Sequence, residues 1–241
     1  MKKIVWLLLI FIFAFSLIAC GNSNRQNEEE KASFDIQNGT LETLPEQDGI
    51  SESEVSLEER HILIAYFTWA ENAASDSMDA VTAASVKSPG NVAQLAQWIS
   101  SETGGNLFSI QVTELYPADW DTCLSRASDE KADGIHPELS NTVEDISEYD
   151  TVFLGFPNWW YSCPMAIFSF LEEHDLGGKE VYLFCSHGTG GLAGSVRDIT
   201  AALPESAIVS KNVFHVYQDD TVSAKEDLQE WLNQISVFSG K

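Results

Sequence analysis

The chain has 241 residues and a formal net charge of −24 at neutral pH. Such an acidic surface repels phosphate backbones and anionic lipid headgroups, which argues against nucleic acid or an anionic membrane surface as a partner. The part from residue 60 onward, about 180 residues, suits one domain with its own core.

The first twenty residues are predicted to be a targeting signal. Lys2 and Lys3 precede an apolar run over residues 4–18, and Ala19 stands directly before Cys20. This order is typical of a secretory signal peptide, and the run is short for a membrane span, which needs about 20 apolar residues. A small residue before cysteine resembles the bacterial lipoprotein signal. The resemblance implies a lipid on Cys20 and an extracytoplasmic protein anchored to the cell membrane. An ordinary transmembrane anchor is the alternative.

Residues 21–59 have the composition of a tether. They are polar and acidic, with Glu28-Glu29-Glu30 in the middle, and their few apolar residues follow no period. Such a segment buries too little apolar surface to offset its ordering entropy. We therefore expect a disordered acidic linker between the anchor and a domain over residues 60–241.

Within that domain, short apolar runs alternate with helical patterns. The predicted strands are residues 61–67, 107–112, 149–156, 180–185 and 207–216. The predicted helices are residues 91–103, 119–133, 165–174, 192–203 and 223–235, the first closed by Gly104-Gly105 and the third by Gly177-Gly178. Most strands lack a polar face, as is usual for parallel strands covered on both sides. The pattern predicts an α/β fold, a doubly wound five-stranded parallel sheet in a three-layer sandwich.

Ligands in such sheets bind beyond the carboxyl ends of the strands, so three loops are candidates. The first begins with Thr68-Trp69 and reaches Gly90, and a helix starts at Asn91. Unpaired N–H groups at a helix start favour a phosphate group. The hydroxyls of Thr68 and Ser88 could add contacts. A plain capped connection is the alternative, although the loop is long for one.

The second and third loops differ in composition. Residues 157–164 include Trp159-Trp160-Tyr161, and three consecutive aromatic residues rarely all face one core, so exposed rings there suit a planar ligand. Packing of one Trp on the next helix is the alternative. In residues 186–191 three glycines let backbone N–H groups approach a ligand closely. His187 could contact a ring edge or donate a proton there, or be a turn residue without a role.

Several motifs are absent from the sequence. It has no Gly-Lys-Ser/Thr phosphate loop, which argues against triphosphate hydrolysis. It has no Gly-x-Gly-x-x-Gly after the first strand, which argues against dinucleotide binding. It has no Gly-x-Ser-x-Gly, which argues against serine hydrolysis. It has no Cys-x-x-Cys either, and no metal site is predicted. Cys123, Cys163 and Cys185 form either one disulfide with a free thiol or three buried thiols. We expect Cys163 and Cys185 to lie close, because they flank neighbouring strand ends.

Four segments of the sequence together resemble the flavodoxin family, and most of all its flavodoxin-like bacterial proteins related to FMN-dependent quinone reductases. The segments are residues 66–69, Gly90-Asn91, residues 155–160 and residues 186–191. The resemblance implies the flavodoxin-like form of the fold and FMN as cofactor. The cofactor-binding residues that it implies are Thr68, Trp69, Gly90 and Asn91 beside the phosphate, Pro157, Asn158, Trp159 and Trp160 bordering the ring, and Ser186, His187, Gly188, Thr189 and Gly190 at its polar edge.

The first loop departs from the family pattern. In the family it is compact and ends Gly-Asn-Thr, whereas here about twenty residues interrupt it and Val92 replaces the threonine. One hydroxyl contact is therefore missing, or is supplied by Thr68, Ser85 or Ser88.

The implied function is electron transfer or flavin-dependent reduction at the cell surface. The partner would be a redox protein or a small acceptor such as a quinone. An acidic surface would disfavour the anionic reduced flavin and so lower its reduction potential. The alternative is a lipoprotein that binds flavin or another small ligand without turnover.

Overall fold

The computed structural model describes residues 60–74 and 89–235. The predicted signal with Cys20, the linker over residues 21–59, and Ser85 and Ser88 all lie outside these residues. None of the helices in the described ranges is long and apolar enough to cross a membrane.

The described residues form one parallel sheet. Its strands are β1 (Ile62–Tyr66), β2 (Asn106–Ser109), β3 (Thr151–Pro157), β4 (Glu180–His187), β5 (Ile208–Val209) and β6 (Phe214–Tyr217). The order is β2-β1-β3-β4, and both β5 and β6 pair with β4, so the two short strands share the fifth position. Every pairing is parallel. This order of positions, 2-1-3-4-5, confirms the predicted fold class.

Helices cover both faces of the sheet. They are α1 (Asn91–Thr103), α2 (Trp120–Asp133), α3 (Met165–Glu173), α4 (Ser195–Ala202) and α5 (Lys225–Gln234). The face under α1 and α5 buries Ile64 and Phe153. The face under α2, α3 and α4 buries Leu63 and Leu154. Neighbouring residues of a strand point to opposite faces, and every residue of β1 and β3 is buried, so both faces are covered. The predicted three-layer arrangement is confirmed.

The helix ends follow local side-chain chemistry. Gly104 takes the left-handed conformation, φ 74°, and ends α1 as predicted. The Asp119 carboxylate accepts the Thr122 N–H at 2.9 Å and starts α2. The prediction that Gly177-Gly178 closes α3 is wrong. It ends at His174 instead, where the backbone becomes extended at φ −128° and ψ 117°; the ring Nδ1 of His174 donates to the Phe170 carbonyl oxygen at 2.9 Å.

Several predicted elements are longer than the observed ones. The strand predicted over residues 207–216 is broken at residues 210–213, where the Asn212 N–H donates to Ser210 Oγ at 3.2 Å and the Asn212 carbonyl oxygen accepts the Trp231 indole N–H at 3.2 Å. The strand predicted to Val112 ends at Ser109, since the Val112 N–H donates to the Asn72 side chain at 2.9 Å. The helix predicted from residue 192 begins at residue 195.

Candidate functional site

Three loops meet at the carboxyl edge of the sheet. The first loop follows β1 and is described over residues 67–74 and 89–90. The aromatic loop, residues 158–164, follows β3, and the glycine loop, residues 188–194, follows β4. The strands β1, β3 and β4 are neighbours in the sheet, so their loops are neighbours too.

Hydrogen bonds join the aromatic loop to the glycine loop. The Asn158 side-chain amide donates to the Gly191 carbonyl oxygen at 2.7 Å, and the Gly194 N–H donates to the Tyr161 carbonyl oxygen at 3.0 Å. At the base, the Ser162 hydroxyl donates to the Asp198 carboxylate at 2.7 Å. These bonds therefore hold the two loops side by side with fixed spacing, and the surface between them is called the cleft below.

The tip of the aromatic loop has a strained backbone. Trp159 and Ser162 exchange backbone hydrogen bonds of 3.1 and 2.9 Å around two residues with positive φ, Trp160 at 50° and Tyr161 at 62°. Turns of this geometry prefer glycine or asparagine, and bulky residues in it cost about 1–3 kcal/mol each. Trp160 is 39% exposed and Tyr161 is 68% exposed. Strain of this kind beside exposed aromatic rings is typical of a ligand site.

The three aromatic rings of this loop have different surroundings. Trp159 packs edge-on against Phe67 and Tyr116, with ring centroids 5.5 and 5.3 Å away, so it supports the core. The Trp160 indole N–H donates to the Leu124 carbonyl oxygen of α2 at 2.9 Å. Tyr161 lies over the glycine loop, since a Cβ added at Gly190 would be 3.5 Å from its ring. The sequence-based set of contacts omits Tyr161, although it ends the Trp-Trp-Tyr run.

The glycine loop leaves open space. Thr189 and Gly190 are exposed, and a Cβ added at Gly188 would meet nothing closer than Gln218 Oε1 at 3.9 Å. Two residues of this loop have a positive φ, Gly191 at 59° and Ala193 at 44°. The loop is therefore exposed at Thr189 and Gly190, and the Tyr161 ring lies over Gly190.

The His187 side chain turns away from the cleft, toward β6. Its Nδ1 donates to the Gly188 carbonyl oxygen at 2.8 Å, and its Nε2 lies 3.1 Å from Nδ1 of His215. Both ring nitrogens are hydrogen-bonded within the protein. Only the backbone of His187 is therefore left to contact the edge of a ligand. Burial lowers the pKa of His215, and the nearby His187 lowers it further. The sequence gives no signal for His215, because only the pairing of β6 with β4 brings it here.

The first loop is closely packed around the start of α1. A Cβ at Gly90 would be 2.1 Å from the hydroxyl of buried Thr68, so only glycine fits there. The Asn91 side-chain amide donates to Ser186 Oγ at 3.2 Å and to the Gln218 carbonyl oxygen at 2.8 Å. Asn91 thus links the first loop, the end of β4 and the loop after β6. Both hydrogens of the Asn91 side-chain amide are donated to these partners, so only the backbone N–H of Asn91 is left to bind a phosphate.

Trp69 and Asn72 hold the first loop against α2 and the segment after β2. Trp69 is buried, and its indole N–H donates to the Pro117 carbonyl oxygen at 3.2 Å. The buried Asn72 side chain donates to the carbonyl oxygens of Thr68 and Ile110 at 2.9 and 3.0 Å. The sequence analysis does not identify Asn72, since its partners follow two different strands.

The three thiols in the described residues are buried and free. Burial raises the pKa of Cys163 to about 12. Burial also raises the pKa of Cys185, and the neighbouring Cys163 raises it further. Of the two alternatives that the sequence left open, the structure bears out three buried thiols. Over residues 60–74 and 89–235 no three His, Cys, Asp or Glu side chains are grouped to hold a metal ion.

These features agree with the comparison to known families. The flavodoxin family model matches residues 78–235, so this chain belongs to the flavodoxin family, as the sequence predicted. The match begins after β1, within the long first loop. No curated protein gives a significant match.

Solved structures share the fold. A protein of Bacteroides eggerthii described as a flavoprotein is 26% identical, with a TM-score of 0.55, over 73% of this chain and 98% of its own. A similarly described protein of Bacteroides uniformis is 24% identical, with a TM-score of 0.56, over 73% of this chain and 99% of its own. A Lactobacillus acidophilus flavoprotein in complex with FMN is 20% identical, with a TM-score of 0.50, over 69% of this chain and 99% of its own.

Proposed function

We propose that this flavoprotein binds FMN in the cleft between the aromatic loop and the glycine loop and uses it to transfer electrons. The observation that carries the proposal is the exposed Tyr161 ring, which a strained turn holds over the exposed glycine loop. The cleft lies where doubly wound sheets bind their ligands. The FMN complex of the Lactobacillus acidophilus flavoprotein supports the choice of cofactor.

The described residues fit such a cofactor in two parts. The first turn of α1 offers backbone N–H groups without intrahelical partners, which suits the phosphate, and the Thr68 hydroxyl lies beside Gly90 at the start of this turn. Tyr161 provides a flat face for the ring, and the backbone of residues 188–190 can bond its polar edge. Tyr161 must move away from Gly190 to admit a ring, and its 68% exposure permits that movement.

Bound FMN would supply the redox chemistry, and the chain would set its environment. Asn158 is fixed by its bond to Gly191 and keeps the two walls of the cleft at a constant spacing. His187, bonded to Gly188 and His215, holds the start of the glycine loop in place. The net charge of −24 would disfavour an anionic reduced cofactor.

We also propose that a lipid on Cys20 anchors the protein outside the cytoplasm and that its electron acceptor is a small molecule such as a quinone. The order of basic residues, apolar run, Ala19 and Cys20 supports the anchor. Metabolic labelling with a fatty-acid analogue tests it. Label on the wild type but not on Cys20→Ala is the expected result, and equal label on both would contradict the anchor.

Titration of the full chain with FMN and with riboflavin tests the cofactor. We expect saturable binding of FMN and at least tenfold weaker binding of riboflavin, because riboflavin lacks the phosphate that the α1 N-terminus would hold. Binding of neither flavin would overturn the proposal. With FMN bound, reduction followed by reoxidation with a quinone distinguishes an electron-transfer protein from a passive flavin binder.

A further inference from the structure

A second, smaller pocket lies between α2 and the aromatic loop. It has a volume of about 90 Å³, and four tryptophans line it, Trp69, Trp120, Trp159 and Trp160. Ala127 and Cys123 of α2 are also part of its wall, and both are buried. Trp69 and Trp120 form a tilted pair, with centroids 5.8 Å apart and planes at 55°. Four of the chain's seven tryptophans therefore converge on one small space.

The polar groups around this pocket are largely engaged elsewhere. The indole N–H groups of Trp69 and Trp160 donate to the carbonyl oxygens of Pro117 and Leu124. The Asn158 amide donates to Gly191. Burial raises the pKa of the Cys123 thiol to about 12, so the thiol is neutral, and no charged side chain is among the lining residues. An ion entering this pocket would lose its hydration without gaining a charged partner.

We propose that this pocket binds a small, uncharged molecule through one planar aromatic ring. Indole faces favour stacked or edge-to-face contact with such a ring. An apolar cavity of about 150 Å³ is known to hold benzene, so a ring in this pocket of about 90 Å³ would protrude partly at its mouth. Trp160, 39% exposed, and Leu124, 37% exposed, form that mouth.

The pocket lies on the α2 side of the aromatic loop, next to the proposed flavin cleft, and shares a wall with it. Asn158, Trp159 and Trp160 belong both to the aromatic loop and to the pocket lining. A ring held here would press on the loop that we propose to border FMN. The inference does not depend on flavin binding, and its test is made without flavin.

The test uses the full chain labelled with 5-fluorotryptophan and titrated with toluene, followed by fluorine NMR. We expect saturable shifts in the signals of Trp69, Trp120, Trp159 and Trp160. Trp98 and Trp231 pack on the opposite face of the sheet and serve as internal controls that should not shift. Shifts that do not saturate, or that are equal at all tryptophans, would overturn the proposal.

A pair of matched substitutions on α2 locates the site. Ala127→Leu fills the pocket and is expected to weaken toluene binding at least tenfold. Ala132→Leu makes the same change at an exposed position of the same helix and should alter binding less than twofold. If Ala127→Leu does not fold, Ala127→Val gives the same test with a smaller loss. Unchanged binding in a folded Ala127 variant, or binding of tetramethylammonium in place of toluene, would contradict an uncharged aromatic ligand.

Discussion

The aromatic loop and the glycine loop leave neighbouring strands at the same edge of the sheet, yet they reach their shapes by opposite means. In the aromatic loop, Trp160 and Tyr161 occupy a backbone region that normally belongs to glycine. In the glycine loop, Gly191 and Ala193 take positive φ, and the four glycines of the loop leave few side chains beside the cleft. The aromatic loop therefore supplies the aromatic rings of the cleft, and the glycine loop supplies a wall with few side chains.

This difference shows which interactions each loop needs. Contacts outside the aromatic loop stabilise its strained turn, since Trp160 bonds to Leu124 and Lys131 donates to the Trp160 carbonyl oxygen. The glycine loop depends on bonds that it receives, from Asn158 to Gly191 and from His187 to Gly188. Substitutions in the two loops should therefore separate folding stability from ligand binding.

The largest expected effect is at the strand that leads into the aromatic loop. Gly155→Ala should lower the free energy of unfolding by about 3 kcal/mol, because its Cβ would be 2.1 Å from the Phe184 ring in a filled core. Gly188→Ala, which meets nothing closer than 3.9 Å, should change it by less than about 0.5 kcal/mol. Urea unfolding measures both. An equal loss of unfolding free energy in both variants would mean that the strand glycine is no more tightly packed than the loop glycine.

The Tyr161 series separates strain from stacking. Tyr161→Gly and Tyr161→Ala both remove the ring and should weaken FMN binding about tenfold, whereas Tyr161→Phe keeps it. The glycine variant should be more stable than the alanine variant by about 1 kcal/mol, because only alanine is strained at φ 62°. FMN titration and urea unfolding on the same samples provide the measurements. FMN affinity unchanged in both ring-less variants would remove Tyr161 from the site.

Asn158→Ala tests the bond between the two loops. Loss of the bond to Gly191 should lower the free energy of unfolding by about 1 kcal/mol and weaken FMN binding as the loops separate. Asn106→Ala is the matched control, since it removes one bond, to Tyr149, at the exposed edge of the sheet. The idea fails if the two variants lose the same stability and both retain wild-type FMN affinity.

The smallest effect concerns His215. Its folded-state pKa is lowered from the ordinary 6.5, so in the range just below 6.5 the unfolded chain binds the proton more readily. The free energy of unfolding should therefore fall slightly as the pH decreases through this range. An NMR titration should place the His215 pKa below 6.5, and His187→Asn should move it upward. A His215 pKa that does not respond to His187→Asn would contradict the coupling between these rings.

Part of the candidate site could be predicted from the sequence. The apolar runs located β1, β3 and β4, and Trp159-Trp160 and the three glycines of residues 186–191 stood out after these strands. The roles of individual side chains could not be predicted in the same way. Trp159 packs on Phe67, and the Asn91 amide is used by Ser186 and Gln218. These contacts join residues that are far apart in the chain.

The sequence by itself determined the alternation of strands and helices, because periodicity, capping residues and glycine positions act locally along the chain. The family followed from the resemblance of its loop motifs. Only the tertiary structure decided that the last strand divides at residues 210–213, that His187 pairs with His215, and that four tryptophans surround one pocket. These outcomes depend on which segments become neighbours across the sheet. A side chain's partners are fixed by that packing, which a pattern in a single sequence does not contain.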